Sequence, residues 1–77
     1  MIRKRCFLPV PDYETPTHKE VRELISNHDL TVAEYAEMLG VRSRTARYWC
    51  STPEDRGREI PYTAWRLSLI LLGEVEP

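Results

Sequence analysis

The stretch from Thr31 to Trp49 admits few folds, because it sets two amphipathic helices on either side of one glycine. Val32, Tyr35, Ala36 and Leu39 fall at the i, i+3, i+4 and i+7 positions of a one-faced helix, and Gly40 follows at once. Glycine enters the left-handed region without steric cost, so the first helix ends there. After Val41 and Arg42, Ala46 and Trp49 supply the apolar face of a second helix over about 43–51. Ala36 is small where the two helices must touch, and Tyr35, Leu39 and Val41 face inward with it. A small contact residue, a turn tolerant of positive φ and two apolar inner faces are the steric demands of a helix-turn-helix.

The rest of the chain continues in the same idiom. Thr17 and Glu20 have capping-box spacing before Val21, Leu24, Ile25 and His28, which predicts a helix over 18–28, and Thr31 with Glu34 repeats the device before a helix over 32–39. Ser43 is the expected cap of the third helix, Pro61 the expected first residue of a fourth over 61–72, and Gly73 lies just past its end. Prolines at 9, 11 and 16 leave residues 1–16 as an extended, basic arm before a domain over 17–77. No segment alternates as a strand does. The expectation is an all-α chain: a compact four-helix domain containing a helix-turn-helix, with an extended N-terminal arm and a C-terminal dimerisation helix.

A chain of 77 residues makes one domain with a marginal core, for which a partner subunit is a usual supplement. The basic start runs straight into prolines, with no apolar stretch behind it, and Leu67 to Leu72 is far short of the ~20 residues a bilayer span requires. Cys6 and Cys50 are isolated and are read as reduced thiols of a cytoplasmic protein. They complete no metal-ligand spacing with His18 or His28, and no nucleophile motif is present. Neither catalysis, a cofactor, a metal nor a membrane is expected.

The net charge of −1 conceals its pattern. Residues 9–40 hold two bases against seven acids, whereas 41–51 carry Arg42, Arg44 and Arg47 without an acid. On a helical wheel Arg44, Arg47, Tyr48 and Ser51 share one arc, opposite Thr45, Ala46, Trp49 and Cys50. Solvated faces ordinarily interleave acids with bases, so this arrangement points to a polyanion. A helix fits the major groove of DNA, where arginine donates two parallel hydrogen bonds to guanine. Arg44 and Arg47 are the expected base readers, with Arg42 on a flanking base edge or phosphate and Tyr48 on a thymine methyl or a phosphate. Ser43, Thr31, Ser51, Arg56 and Arg58 are expected on the DNA backbone. Arg3, Lys4 and Arg5 read equally well as a minor-groove arm or as a solvated terminus.

The fourth helix carries more apolar surface than one small core can cover. Trp65, Leu69 and Leu72 form one stripe, Ala64, Leu67 and Leu71 another, and Ile70 lies beside the first. Burial from two sides is implied, hence a homodimer through Trp65, Leu67, Leu69, Ile70, Leu71 and Leu72. A twofold dimer of this kind reads an inverted repeat.

From Thr17 to Gly73 the sequence resembles the small helix-turn-helix regulators encoded beside phage anti-CRISPR genes. The resemblance rests on Ala36-Glu37-Met38-Leu39-Gly40-Val41, on Arg44 with Arg47-Tyr48-Trp49, and on Pro61-Tyr62-Thr63. It implies a dimeric repressor that binds an inverted repeat in an anti-CRISPR promoter, autoregulates by occluding RNA polymerase, and touches DNA through Arg44. Such regulators carry arginines at the start of the second helix, where Ala33 and Glu34 stand here, so the operator sequence does not carry over. Leu30-Thr31-Val32-Ala33-Glu34 through Trp49 also looks like the head of excisionase and MerR-type winged domains, which bind DNA architecturally and place a hairpin wing next. A third reading makes Glu20, Glu23, Glu34 and Glu37 the acidic surface of a protein-binding inhibitor.

Overall fold

Two capping boxes start the first two helices as their spacing requires. In the computed structural model, which describes residues 1–76, α1 spans His18–Asn27 and α2 spans Val32–Leu39. Thr17 Oγ1 accepts the Glu20 N–H at 3.3 Å while the Glu20 carboxylate accepts the Thr17 N–H at 2.8 Å. The Thr31 and Glu34 pair repeats this at 3.0 and 2.9 Å. Each cap contributes about 1 kcal/mol by satisfying N–H groups that the helix leaves orphaned. α3 spans Ser43–Trp49 and α4 spans Tyr62–Leu71, and all regular structure among the described residues is helical.

α1, α2 and α4 end in the same way, with a residue in the left-handed region whose successor reaches back to the last turn. Asp29 (φ 54°), Gly40 (φ 72°) and Gly73 (φ 74°) occupy that position. The N–H groups of Leu30, Val41 and Glu74 then bond the carbonyls of Ile25, Ala36 and Leu69 at 3.1, 3.0 and 2.8 Å. Two of the three stops are glycines and visible as such. Asp29 serves because a short polar side chain tolerates this conformation better than most.

Three boundaries differ from expectation. Ser43 does not cap α3: Arg42 occupies the cap, no side chain bonds to the exposed N–H groups, and Ser43 is already helical. Pro61 is the extended residue before α4 rather than its first residue, since its ψ of 148° lies outside the helical range. α3 also stops at Trp49, short of Ser51, because the chain must leave for Pro53.

The core gathers Val21, Leu24 and Ile25 of α1, Tyr35 and Ala36 of α2, Ala46 and Trp49 of α3, and Trp65 and Leu69 of α4. One polar chain crosses it: Tyr35 donates its hydroxyl to Ser68 Oγ at 2.9 Å, and Ser68 donates to the Trp65 carbonyl at 2.7 Å. The serine that interrupts the apolar run of α4 is the buried partner of a core tyrosine. Burial pushes the Tyr35 phenol up to about 12, against the opposing effect of the Ser68 bond.

The N-terminal residues are not an extended arm. Lys4–Phe7 form a 3-10 turn, Cys6 is buried, and Ile2 and Phe7 pack against the core. Trp65 Nε1 donates to the Cys6 carbonyl at 2.7 Å, and Arg66 donates to the Phe7 carbonyl at 2.8 Å. Proline prevents a long helix here but not a short turn, and the buried indole N–H requires an acceptor that this turn supplies. The radius of gyration, 11.5 Å, is the value expected of a compact chain of this length, about 11.5 Å.

Candidate nucleic-acid interface

The hinge of the helix-turn-helix is what aims α3. Gly40 holds φ at 72°, and nothing lies within 4 Å of where its Cβ would be, so the requirement for glycine is conformational rather than steric. Tyr35 and Ala36 from α2 close on Ala46 and Trp49 from α3. With that face sunk in the core, the opposite face of α3 is necessarily outward. Arg42, Ser43, Arg44 and Arg47 are exposed and Tyr48 is half-buried.

Among the described residues, every ion pair lies elsewhere: Met1 with Glu23, Arg3 with Glu14 and Glu20, Arg5 with Glu14, and His28 with Glu74. The three guanidinium groups at 42, 44 and 47 therefore project from one short helix and its cap without a carboxylate to neutralise them. Their mutual repulsion is tolerable because water solvates each, and it is relieved when a polyanion arrives. Arg56 and Arg58 are exposed and likewise unpaired, in the loop that follows α3. Thr31 is exposed at the start of α2 with its oxygen accepting from Glu34, which leaves its proton free to donate.

Ser51 does not fit the backbone-contacting role expected of it. Its hydroxyl donates to the Arg47 carbonyl at 2.7 Å, so its one proton is already committed to the end of α3. Tyr48 is also constrained, because the Arg58 guanidinium lies 5.5 Å from its ring centroid.

The basic start of the chain has the opposite arrangement. The Arg3 guanidinium bonds both Glu20 oxygens at 2.9–3.2 Å and Glu14 at 3.1 Å. The Arg3 backbone N–H adds a bond to Glu20 at 2.8 Å. Glu20 is 6% exposed. Burial alone would raise its carboxyl, but the Arg3 side chain, together with the Arg3 and Thr17 backbone N–H groups, holds it down at about 2. The neighbouring Cys6 thiol is pushed up to about 11 by burial and by the Glu20 charge, which makes it unreactive. Sequence spacing offers no sign of the Arg3–Glu20 contact, since the partners lie 17 residues apart.

This arrangement also dismantles the acidic surface. Glu20 is buried, Glu23 receives the N-terminal ammonium at 2.8 Å, and Glu34 serves the α2 cap. Glu37 alone remains exposed without a partner among the described residues. The winged reading fails on topology: α3 is followed by a 3-10 turn at Pro53–Asp55 and then α4, with no hairpin.

On α4, Trp65 and Leu69 are wholly buried at 0% exposure and so are closed to a subunit interface, while Leu72 is half-buried and packs against the core. The excess apolar surface is narrower than expected. Leu67 and Leu71 are 43% and 51% exposed, with Ile70 half-buried beside them. No helix among the described residues is long and apolar enough to cross a membrane.

Fold and site together define a helix-turn-helix protein whose second motif helix displays a cationic ridge. Comparison with known proteins narrows this class. No protein-family profile matches the chain. It is similar to two proteins of Escherichia coli, each named transcriptional repressor protein KorC. One is 36% identical over 75 residues, covering 94% of this chain and 84% of the relative. The other is 38% identical over 69 residues, covering 86% and 76%. The chain belongs to the KorC family of transcriptional repressors.

Proposed function

We propose that this chain is a DNA-binding transcriptional repressor that acts as a homodimer on an inverted repeat within a promoter. The observation that carries the proposal is the ridge of Arg44 and Arg47, exposed and unpaired on α3 and backed by the buried Ala46 and Trp49. Arg44 and Arg47 read guanines in the major groove, and Arg42 takes a flanking base edge or phosphate. Ser43, Thr31, Arg56 and Arg58 hold the DNA backbone, which fixes register without reading sequence. The family supplies the outcome, repression. Occlusion is the simplest means, with the bound dimer standing where RNA polymerase must bind, in the cytoplasm of a bacterial host.

Two copies meet through Leu67, Ile70 and Leu71, the part of α4 that the core leaves outside. Bodies measuring 28 × 24 × 20 Å can set their α3 helices one turn of DNA apart, about 34–36 Å. Control of an anti-CRISPR operon and autoregulation rest on the resemblance of Ala36 to Val41 and of Arg44 to those regulators; the KorC relatives support repression alone.

The test is retardation of a duplex spanning the region immediately upstream of the gene, with wild type and Arg44→Ala. One good arginine–guanine pair is worth ~1–3 kcal/mol, so the variant should bind about 5- to 150-fold more weakly while keeping its thermal stability. Unchanged affinity would remove Arg44 from the interface and the proposal with it.

A further inference from the structure

The loop after α3 is built more tightly than a connector needs to be. Gly57 has no room for a side chain, since a Cβ there would collide with the backbone carbonyls of Ser51 and Thr52. Its N–H bonds the Thr52 carbonyl at 2.8 Å, and the next N–H, that of Arg58, bonds the Tyr48 carbonyl at 2.9 Å. Arg56 stands in the left-handed region at φ 67° to complete the turn. The loop is thus folded back and stapled to the last turn of α3. Its consequence is that the Arg58 guanidinium rests 5.5 Å from the Tyr48 ring centroid. An aromatic face attracts a cation, and this one keeps a flexible side chain close to one place.

That place bears on the DNA interface. Tyr48 follows Arg44 by one helical turn, on the same face and roughly 6 Å farther along the axis. The Arg58 guanidinium is 5.5 Å from that ring centroid and exposed, and with α3 in a groove about 12 Å wide a cation held this close to the helix is within reach of the sugar-phosphate wall. Among the described residues Arg58 has no ion pair with Glu54, Asp55 or Glu59, and Asp55 instead accepts from Thr52.

Resting on the reading of α3 as the DNA-contacting helix, we propose that Arg58 clamps a phosphate at the groove edge. Tyr48 is then a positioning residue that holds Arg58 there, rather than a reader of bases. The loop over 52–58 works as a rigid second contact that fixes how deeply α3 sits.

A double-mutant cycle on duplex DNA tests this. The probes are the region upstream of the gene and an unrelated duplex of equal length, each titrated with salt. Arg58→Ala should weaken both about 5- to 10-fold and lower the slope of log affinity against log salt by about 1, the signature of a single phosphate left without its cation. Tyr48→Phe keeps the aromatic face and should bind within about twofold of wild type. Tyr48→Leu, which keeps apolar bulk without that face, should match Arg58→Ala, and the pair combined should lose no more than either alone. Multiplying losses, or an unchanged salt slope in Arg58→Ala, would overturn the proposal. Arg44→Ala separates the two readings. If it binds normally, the assignment of α3 has failed; if it fails to bind while Arg58→Ala is unaffected, the loop proposal alone falls.

Discussion

Two clusters of arginine in this chain look alike in sequence and serve opposite ends. Arg3 and Arg5 sit near the start, Arg42, Arg44 and Arg47 at the turn and third helix. The first pair is neutralised within the fold by Glu14 and Glu20. The second group meets no carboxylate among the described residues. What separates them is not the base but the acid: residues 9–40 carry seven of the twelve carboxylates, and folding brings those at 14 and 20 to the N-terminal turn. A buried anion that has found its cation, as Glu20 has in Arg3, is held within the fold. A cation left without an anion is available to something outside it.

The largest expected effect breaks that comparison at its structural end. Glu20→Ala removes the acceptor of the Arg3 and Thr17 backbone N–H groups and of the Arg3 guanidinium. Stranding partly buried donors and losing a cap costs about 2–4 kcal/mol, which at ~4–8 °C per kcal/mol for a domain this small is a large fall in melting temperature. Duplex binding measured well below that temperature should be unaffected. Arg44→Ala should do the reverse, leaving stability within about 0.5 kcal/mol of wild type. If the two variants shift the same observable, the division between an internal and an external cluster is wrong.

Acid sharpens the same contrast. Glu20 has a carboxyl held at about 2 in the fold against an ordinary value of 4.5, so the folded state binds fewer protons than the unfolded state between those values. The stabilisation from this depressed group is complete above about pH 4.5 and is lost as pH falls toward 2. Thermal melts over that window should fall more steeply for wild type than for Glu20→Gln, which cannot titrate there. Parallel curves would show that the carboxylate is not the group anchoring the N-terminal turn.

How much of this is legible in the sequence follows from the range of each interaction. The helices, both capping boxes and the stops at Gly40 and Gly73 depend on neighbours within a few residues, and spacing alone reveals them. The outward face of α3 is legible for the same reason, since Ala46 and Trp49 dictate where Arg44 and Arg47 must point. The N-terminal turn is not, because its determinants are distant: the Trp65 indole N–H seeking an acceptor and the Glu20 carboxylate seeking a cation. Proline at 9, 11 and 16 correctly excludes a long helix and wrongly suggests a free arm. Ser68 looks like a break in an apolar run until Tyr35 is set against it. On α4 the wheel shows too wide an apolar face, but which stripe turns inward depends on where the rest of the core lies.

Gly40→Ala has a middling expected effect. A Cβ there meets no neighbour, so the cost is the backbone conformation alone, about 1 kcal/mol. Because the hinge also aims α3, the same variant should weaken DNA binding more than its stability loss accounts for. A binding loss wholly explained by unfolding would mean that the turn angle is set by the core and not by the glycine.

The smallest effect is the most discriminating for the N-terminal cluster. Arg5 pairs with Glu14 at 3.3 Å, but both side chains are well exposed, at 68% and 43%. Such pairs are worth roughly 0–1 kcal/mol, with water and salt competing for both partners. Arg5→Ala should therefore lower the melting temperature by at most about 8 °C. The informative measurement is the salt dependence of DNA affinity, whose slope falls by about 1 for every phosphate a variant ceases to neutralise. With Arg5 turned to Glu14 and the segment carrying it fastened to α4 through Cys6 and Phe7, the slope should stay at the wild-type value. A slope reduced by about one unit would mean that the N-terminal turn leaves its place on α4 to reach the duplex, and that the division between paired and unpaired arginines holds only until DNA arrives.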